Sequence, residues 1–365
     1  MKNIKISALL IIFLTACAFA QDFSKVDELM GKGIDVKLFP GGVILIGNSE
    51  KVLYKNAFGN FTYDLTSPKM NAETMFDLAS VTKVFGTTMC IMKLYDEKKL
   101  DLKDPLTKYF PEYEFGEKKN IKVIDLLIHE SGLPAYYSPK TDESRETVID
   151  TVLNKKPVYG KNSKTVYSCL NFVTTMLLVE KITDKAMIEY YKENFTEPLQ
   201  MERTMFIPPV ELRKECAPTT PELRGVVHDP LARALEGKSG NAGLFSTVED
   251  LSKLCRMILN DGVYQNKKYF EKETVSLFTK KYSARSSRAI GFDTKELHGY
   301  TSAGKFFSAN SFGHTGYTGT SVWIDPERKI FVILLTNRVY PDDTASIRDF
   351  RPAIHDAVIE AIEDL

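Results

Sequence analysis

The sequence contains few of the residues that build metal centres or disulfide-rich folds. Its 365 residues include five cysteines, five histidines and a single tryptophan. The cysteines are dozens of residues apart, so no dense disulfide framework is expected. Neither Cys-x-x-Cys nor His-Glu-x-x-His occurs, and the histidines are scattered, so the sequence does not support a metal site.

Two function classes are disfavoured by what is missing. Lysine plus arginine equals aspartate plus glutamate at 48 each, and Lys-rich stretches such as EKKNIK contain their own acids. Nucleic-acid binding needs basic residues concentrated on one face, so we expect no nucleic-acid partner. The Gly-x-Ser-x-Gly elbow of α/β-hydrolases is also absent, since the nearest text, GKSGN at residues 237–241, lacks the last glycine.

The first 20 residues have the pattern of an export signal. Lys2 and Lys5 precede an apolar run over residues 8–14, and small residues follow it. The run is too short to cross a bilayer as a permanent helix. We therefore predict that residues 1–20 are a signal peptide and that the protein leaves the cytoplasm.

Two processing sites compete within this signal. Ala18-Phe19-Ala20 fits ordinary signal-peptide cleavage before Gln21. Leu14-Thr15-Ala16-Cys17 resembles the bacterial lipobox, in which Cys17 would become the lipidated first residue. The alternatives are a periplasmic or secreted protein, or an outer-membrane lipoprotein anchored to the membrane through Cys17.

The order of strand and helix patterns predicts an α+β fold. One hairpin is predicted near each end, GGVILIGNSEKVLYKNAFG at residues 41–59 and TSVWIDPERKIFVILLTN at residues 320–337. Residues 80–262 are mostly helical in pattern. We predict an antiparallel sheet built from N- and C-terminal strands and flanked by helices, with an inserted, mostly helical lobe. Residues 21–365 would then form one catalytic unit of two lobes.

Three helices are predicted with defined ends. A long helix is expected over residues 80–99, and the last 19 residues, IRDFRPAIHDAVIEAIEDL, suggest an amphipathic helix. Ser246-Thr247-Val248-Glu249 has the pattern of a capping box, which would begin a helix that ends at Asn260-Asp261-Gly262.

The first of these helices contains an unusual lysine. In FDLASVTKVFGTTMCIM, residues 76–92, Lys83 follows Ser80 by one helical turn on an otherwise apolar face. A serine becomes a good nucleophile when a base lies within hydrogen-bond reach. An ordinary lysine, with a pKa of ~10.4, is charged at pH 7, so we expect burial to lower the pKa of Lys83. The alternative is that Ser80 only caps the helix and Lys83 extends to solvent.

The same spacing occurs once more, at Ser302 and Lys305. That copy lies in a glycine-containing stretch without a helical pattern, so nothing would fix its geometry. We therefore expect Ser80, and not Ser302, to be the nucleophile.

Two further motifs strengthen this interpretation. VYSCLNF places Tyr167 just before an apolar helix, and FGHTGYTGTSVWIDP places His314-Thr315-Gly316 at the front of a predicted strand. With Ser80-x-x-Lys83, these motifs follow one another as in the serine β-lactamase and penicillin-binding-protein superfamily, which the chain resembles in its class C-like branch. LLIHESGLP and SGNAGLFST also resemble this branch, and the likeness covers most of residues 35–340.

The resemblance implies a serine hydrolase that uses an acyl-enzyme and needs neither a metal nor a cofactor. Ser80 would attack a carbonyl, while Lys83 and Tyr167 would transfer the proton. The backbone N–H groups of Ser80 and Tyr317 would form the oxyanion hole. The oxyanion and substrate-binding residues would be Tyr317, His314, Gly316 and Cys169. A small molecule or peptide with an ester or amide bond, such as a cell-wall peptide, would be the substrate, and no protein partner is implied.

Two residues depart from the pattern of the family. Cys169 occupies a position where relatives often have Asn or Asp, and a thiol is a weak hydrogen-bonding partner for a substrate amide. His314 replaces the lysine common in β-lactamases, and an imidazole is mostly neutral at pH 7. Both changes weaken the case for efficient β-lactam hydrolysis and leave acyl transfer intact.

Several alternatives remain open from the sequence. Tyr167 could be an ordinary packed tyrosine, and His129 is expected to satisfy backbone groups of a turn. Among enzymes, the options are a D,D-peptidase, a muramyl-peptide amidase, an esterase or a weak class C-like β-lactamase. The alternative from another class is a non-catalytic penicillin-binding or sensor protein on the same scaffold, which Cys169 favours.

Overall fold

The computed structural model describes residues 21–363, so the predicted export signal and Cys17 lie outside the described residues. The α-helices are α1 Ser24–Asp35, α2 Met89–Asp96, α3 Val123–Leu127, α4 Arg145–Asn154, α5 Cys169–Thr183, α6 Met187–Tyr191, α7 Val210–Arg213, α8 Pro230–Ala234, α9 Val248–Leu259, α10 Lys272–Thr279 and α11 Phe350–Glu363. The strands are β1 Gly41–Asn48, β2 Val52–Gly59, β3 Phe76–Asp77, β4 Phe245–Ser246, β5 Val263–Tyr264, β6 Lys267–Lys268, β7 Asp293–Thr294, β8 Phe312–Thr315, β9 Ser321–Asp325 and β10 Ile330–Thr336. Short helical turns of other types are Lys83–Thr88, Leu106–Lys108, Pro111–Tyr113, Gly116–Asn120 and Lys192–Thr196.

The predicted α+β fold and its sheet are confirmed. Six antiparallel strands lie in the order β2-β1-β10-β9-β8-β7. The two predicted hairpins meet at β1 and β10, where Val43 lies opposite Leu335. All seven residues of β10 are buried, because apolar side chains on both faces of this strand are covered. One sheet is therefore built from both ends of the chain.

Alternate residues of the sheet enter two separate cores. Ile44 packs in a core with Met30 of α1 and Ile354 of α11. Its neighbour Val43 points to the opposite face and packs in the core of the helical lobe, with Leu254 of α9. The lobe that lies between β2 and β7 in the chain therefore covers the face of the sheet opposite to α1 and α11.

The long helix predicted over residues 80–99 is present but differs in detail. Its first turns include a π-helical segment, Lys83–Thr88, before α2. The helix ends at Asp96, and Lys98 adopts a left-handed conformation with φ of 58°. Pi-helical turns are often found at functional positions, and this one begins at Lys83.

The predicted capping box of α9 is wrong by one residue. Thr247, not Ser246, caps the helix, because its hydroxyl accepts a hydrogen bond from the N–H of Asp250 at 3.2 Å. Ser246 instead lies in β4, and its hydroxyl bonds that of Thr204 at 2.7 Å. The end of α9 before Asn260 agrees with the prediction.

Two further properties apply to residues 21–363. No helix within them is both long enough and apolar enough to cross a membrane. The four cysteines in this range, Cys90, Cys169, Cys216 and Cys255, are unbonded.

Candidate active site

The segment that presents Ser80 is a tight turn between β3 and the following helix. Ala79, directly before the serine, has φ of +46°, a left-handed conformation that is unusual for a residue with a side chain. Such strain persists only where surrounding contacts impose it, and it is concentrated at functional sites. The turn leaves the Ser80 side chain partly exposed at the junction of the sheet and the helical lobe.

Lys83 is fully buried and its ammonium group has three acceptors. Its Nζ lies 3.1 Å from the Ser80 hydroxyl oxygen, 2.9 Å from the backbone oxygen of Asn241 and 3.5 Å from the Cys169 sulfur. An ammonium has three N–H donors, so this geometry satisfies all of them. The alternative in which Lys83 extends to solvent is therefore wrong.

Tyr167 lies against the same lysine. The Lys83 Nζ is 4.9 Å from the centre of the Tyr167 ring. The backbone of Tyr167 is held by the residue that follows it, Ser168, whose side chain caps the start of α5. The Ser168 N–H donates a hydrogen bond to Nδ1 of His129 at 3.0 Å. His129 thus accepts a hydrogen bond from a backbone N–H group, as predicted. Ser80, Lys83 and Tyr167 form one cluster.

The third motif borders this cluster from β8. His314 is buried on the strand, its ring centre lies 6.0 Å from that of Tyr167, and its Nδ1 lies 2.7 Å from the Thr315 backbone oxygen. A Cβ at Gly316 would lie 2.1 Å from the Thr320 hydroxyl and 2.4 Å from the Leu78 oxygen, so only glycine fits here. The strand therefore packs directly on the turn that presents Ser80.

Two backbone N–H groups are available beside Ser80. Neither the Ser80 nor the Tyr317 N–H donates to a protein acceptor among residues 21–363. Both residues line the same cavity of about 570 Å³. Such free backbone donors are the groups that stabilise an oxyanion during acyl transfer.

The charge state of Lys83 differs from the prediction. Burial opposes its charge, but the neighbouring Cys169 and Tyr167, when ionised, favour the ammonium, as does Asp229 more weakly. The balance raises the pKa of Lys83 to about 12, so the predicted lowering of this pKa is wrong in direction. Burial also raises the pKa of the Tyr167 phenol, although the charge of Lys83 acts in the opposite direction. The cluster at rest therefore contains an ammonium and a neutral phenol.

His314 contributes no positive charge to the cavity. Burial, with a smaller contribution from Arg288 and Lys83, lowers the pKa of His314 to about 4. The imidazole is consequently neutral at pH 7, in agreement with the prediction.

Four arginines line the cavity, and two of them have no acidic partner within residues 21–363. Arg288 pairs with Asp293 and Arg338 pairs with Asp343, whereas Arg348 and Arg351 form no ion pair. Arg351 donates to the backbone oxygens of Gly316 and Thr320 at 2.6 and 3.1 Å, and its Nε has no partner. Burial lowers the pKa of Arg351 to about 10, so it remains charged at pH 7.

The structure adds residues that the sequence analysis did not assign. Asn241 contributes a backbone oxygen, and its segment SGNAGLFST had been noted only as a resemblance. Arg348 lies just before α11 and Arg351 in its first turn, where the sequence indicated only an amphipathic helix. Within residues 21–363, no group of three or more His, Cys, Asp or Glu side chains is placed to hold a metal ion.

The antiparallel sheet and the inserted helical lobe have the fold of penicillin-binding proteins, and the Ser80–Lys83–Tyr167 cluster lies between them. Comparison with known sequences makes this specific. The sequence model of the Beta-lactamase family matches residues 26–356, and the chain belongs to that family.

Individual relatives extend the comparison over nearly the whole chain. The chain is 32% identical to an N-acetylmuramyl-L-alanine amidase of Bacillus subtilis (strain 168), over 89% of this chain and 82% of the amidase. It is 29% identical to a protein of Salmonella agona (strain SL483) provisionally named a D-alanyl-D-alanine carboxypeptidase, over 87% and 83% of the two chains.

Solved structures show the same fold. A penicillin-binding protein homologue from Caulobacter crescentus superimposes with a TM-score of 0.77 at 16% identity, over 93% of this chain and 97% of the other. The octameric penicillin-binding protein homologue from Pyrococcus abyssi gives a TM-score of 0.74 at 23% identity, over 94% and 78%. At these identities the similarity concerns the fold alone.

Proposed function

We propose that this protein is an exported hydrolase that cleaves an amide or ester bond in a cell-wall peptide through an acyl-enzyme on Ser80. The observation that supports this most strongly is the buried Lys83 ammonium, 3.1 Å from the Ser80 hydroxyl oxygen at the edge of an open cavity. The names of the amidase and carboxypeptidase relatives favour a peptidoglycan-derived substrate. Export rests on the composition of residues 1–20, with ordinary cleavage or lipidation at Cys17 as the two routes.

In the first step, the Ser80 oxygen attacks the substrate carbonyl carbon. The tetrahedral oxygen accepts hydrogen bonds from the N–H groups of Ser80 and Tyr317, each such donor being typically worth ~2.7–4 kcal/mol of barrier. The Ser80 proton passes to the Lys83–Tyr167 pair, and the pair returns a proton to the leaving nitrogen or oxygen as the bond breaks. An ester now joins the acyl group to Ser80, and the amine or alcohol product is free.

In the second step, a water molecule attacks this ester. The Lys83–Tyr167 pair accepts a proton from the water, and the same backbone donors hold the new tetrahedral oxygen. Collapse breaks the bond to Ser80, which regains a proton from the pair. The released product is a carboxylic acid, and the enzyme returns to its starting state.

The charge state of the cluster sets the direction of the proton traffic. With Lys83 protonated and Tyr167 neutral at rest, a proton must leave the pair before it can accept one from Ser80. Because the ammonium favours the phenolate, loss of that proton gives a mixture in which either the amine or the phenolate is the base. Lys83 and Tyr167 therefore act as one unit.

The cavity favours a substrate with a carboxylate. Arg348 and Arg351 provide positive charge without acidic partners in the described part of the chain, and Arg351 has an unpartnered Nε. Guanidinium groups bind carboxylates through paired hydrogen bonds. A peptide fragment with free carboxyl groups satisfies this requirement better than a neutral ester.

Two alternatives have specific observations in their favour. The cavity arginines also suit a β-lactam carboxylate, but the weak acceptor Cys169 and the neutral His314 favour slow turnover, so we expect at most a weak β-lactamase. The same contact of Cys169 with Lys83 supports a sensor-like protein that is acylated and then hydrolyses slowly.

The test is product analysis on defined muropeptides with the processed protein and Ser80→Ala. Release of D-alanine would identify a D,D-carboxypeptidase, and release of the peptide from the muramyl group would identify an amidase. We expect one of these products with the wild type and none with Ser80→Ala. Turnover that is equal in both proteins would contradict the proposal.

A further inference from the structure

A buried carboxylate next to the active site has no part in the chemistry above. Asp77, three residues before Ser80, is only 2% exposed. Its Oδ1 accepts a hydrogen bond from the N–H of Ala79 at 2.8 Å, and its Oδ2 accepts one from the N–H of His228 at 2.7 Å. The two donors come from segments about 150 residues apart in the chain.

The buried environment of Asp77 disfavours the charged form of its carboxyl group. Within residues 21–363 it forms no ion pair, and the partners of its two oxygens are backbone N–H groups. The titratable and charged groups that act on it or are affected by it are His228, Asp229, Arg233 and Cys216. Burial, offset in part by the two N–H donors, raises its pKa to about 6. A residue kept under such conditions calls for a role that a neutral side chain cannot fulfil.

One contact of the Asp77 carboxylate holds the turn that presents Ser80. Its bond to the Ala79 N–H holds the peptide unit that directly precedes Ala79, the residue whose φ is +46°. Holding this peptide unit restricts the positions available to the next peptide unit, whose N–H belongs to Ser80. The carboxylate therefore opposes relaxation of the strained turn that aims the first oxyanion donor.

The other contacts lead to the second oxyanion donor. The Thr318 hydroxyl donates to the backbone oxygen of Asp77 at 2.7 Å, and Thr318 directly follows Tyr317. His228, whose N–H the carboxylate holds, stacks its ring on that of Tyr317 with centres 6.0 Å apart. Asp77 is thus bonded to the segment of Ser80 and to two residues that contact Tyr317, one next to it in the chain and one stacked on its ring.

The chemistry of the contacts explains why the residue is an acid. Two convergent N–H groups require two acceptor oxygens at the reach of a short side chain. Asparagine offers one oxygen and one NH₂ group, so one of the two N–H groups would face a donor. An alanine would leave both N–H groups without this partner.

We propose that Asp77 is a positioning residue that fixes the Ser80 and Tyr317 oxyanion donors relative to each other. It never touches substrate: its carboxylate acts through Ala79 and His228, and its backbone oxygen holds the Thr318 hydroxyl. The inference rests on the proposed function, because it assumes that Ser80 is the nucleophile.

The test measures the acylation rate of folded Asp77→Asn against a p-nitrophenyl ester between pH 4.5 and 8. At pH 7.5 we expect a loss of about 10- to 100-fold with KM changed less than about threefold, since one removed oxyanion donor costs about 10²–10³. The ratio of wild-type to variant rates should shrink as the pH falls through about 6, because protonated Asp77 is as uncharged as asparagine. A merely structural role would leave this ratio constant.

Two further variants keep the inference falsifiable. Thr318→Val removes the hydroxyl bond without changing any charge, and we expect a loss of about threefold to tenfold that does not vary with pH. Asp325→Asn changes another buried carboxylate that accepts backbone N–H groups at the far end of β9, and its acylation rate should equal the wild type. Should Asp77→Asn not fold, Asp77→Ser is measured in the same way, and a wild-type acylation rate in folded Asp77→Ser would overturn the inference, because serine cannot accept both N–H groups.

The outcomes separate this inference from the proposed function. A wild-type protein without a burst that depends on Ser80 would overturn the proposed function. A burst that depends on Ser80 and survives at the wild-type rate in folded Asp77→Asn would overturn only the role of Asp77. So would a reduced rate whose ratio to wild type is the same at every pH.

Discussion

The chain contains two serine–lysine pairs with the same spacing, and they have very different surroundings. Ser80 and Lys83 lie at the start of a helix, with the lysine buried and bonded to the serine hydroxyl. Ser302 and Lys305 lie in a loop, Lys305 is exposed, and its ammonium lies over the Phe306 ring at 5.3 Å. Both serines line the same cavity. The same spacing therefore has two structural outcomes, and of the two serines only Ser80 has a fixed, buried ammonium within hydrogen-bond reach.

The second pair has a structural use. The backbone oxygen of Ser302 lies 2.6 Å from Nδ1 of the buried His355 on α11. The intervening Gly304 has φ of +82°, which excludes a helical turn between the serine and the lysine. Ser302 thus anchors a loop of the cavity wall, whereas the Ser80 hydroxyl contacts the Lys83 ammonium.

The sharpest contrast between the pairs is expected from replacing each serine. Ser80→Ala should lower steady-state ester hydrolysis by about 10⁴-fold or more, because the nucleophile itself is lost. Ser302→Ala should stay within about threefold of wild type, since its contact with His355 uses the backbone oxygen. Equal losses in the two variants would break the comparison.

Replacing each lysine should again reduce the rate only at the first pair, by a smaller factor than replacing Ser80. Lys83→Ala should lower the acylation rate by about 10²–10⁴-fold, the usual contribution of a general acid–base group. Lys305→Ala should be indistinguishable from wild type, because its side chain is exposed. Melting curves of both variants control for unfolding, and a normal rate in folded Lys83→Ala would contradict the role of Lys83.

The pH dependence of acylation should reflect the raised pKa of the Lys83–Tyr167 pair. Since the pair is fully protonated at neutral pH and must lose a proton to act as a base, the rate should rise with pH between 7 and 9, by at most about tenfold per unit. Stopped-flow measurements with the wild type and Lys305→Ala should give superimposable profiles. A rate that stays constant over this range would show that the base is already deprotonated at pH 7 and would contradict the raised pKa.

The smallest expected effect concerns the free energy of unfolding and His355, the contact of Ser302 in the second pair. Burial lowers the pKa of His355 to about 4, below its unfolded value, so its contribution is present above about pH 6.5 and is lost as the pH falls to 4. The difference in unfolding free energy between wild type and His355→Gln should change by at most about 3 kcal/mol over this window. Denaturant titrations at pH 7 and 4.5 measure it, and a constant difference would show that His355 is not held neutral.

The comparison also indicates what a sequence can and cannot predict. Extended runs of apolar residues around turn residues predicted the two hairpins. The glycine between Ser302 and Lys305 correctly predicted that this second pair lies outside a helix. The order of the three motifs along the chain predicted that Ser80, Lys83 and Tyr167 lie close together, as they do in the structure. These signals are local, and each concerns a few neighbouring residues.

The features that were missed depend on distant contacts. The pKa of Lys83 was predicted in the wrong direction, because the groups that favour its charge include Cys169, 86 residues away. Asp77 received no role from the sequence, because only the folded chain brings the His228 N–H to its carboxylate. Electrostatic balance in a buried site cannot be inferred from residue spacing.

The most direct test of the account is to locate the acyl group after rapid quenching with a slowly hydrolysed p-nitrophenyl ester. Peptide mass spectrometry distinguishes the peptide that contains Ser80 from the one that contains Ser302. The account predicts one acyl group per enzyme, on Ser80, and no adduct in Ser80→Ala. An adduct on Ser302, or on Cys169 with Ser80 unmodified, would contradict it.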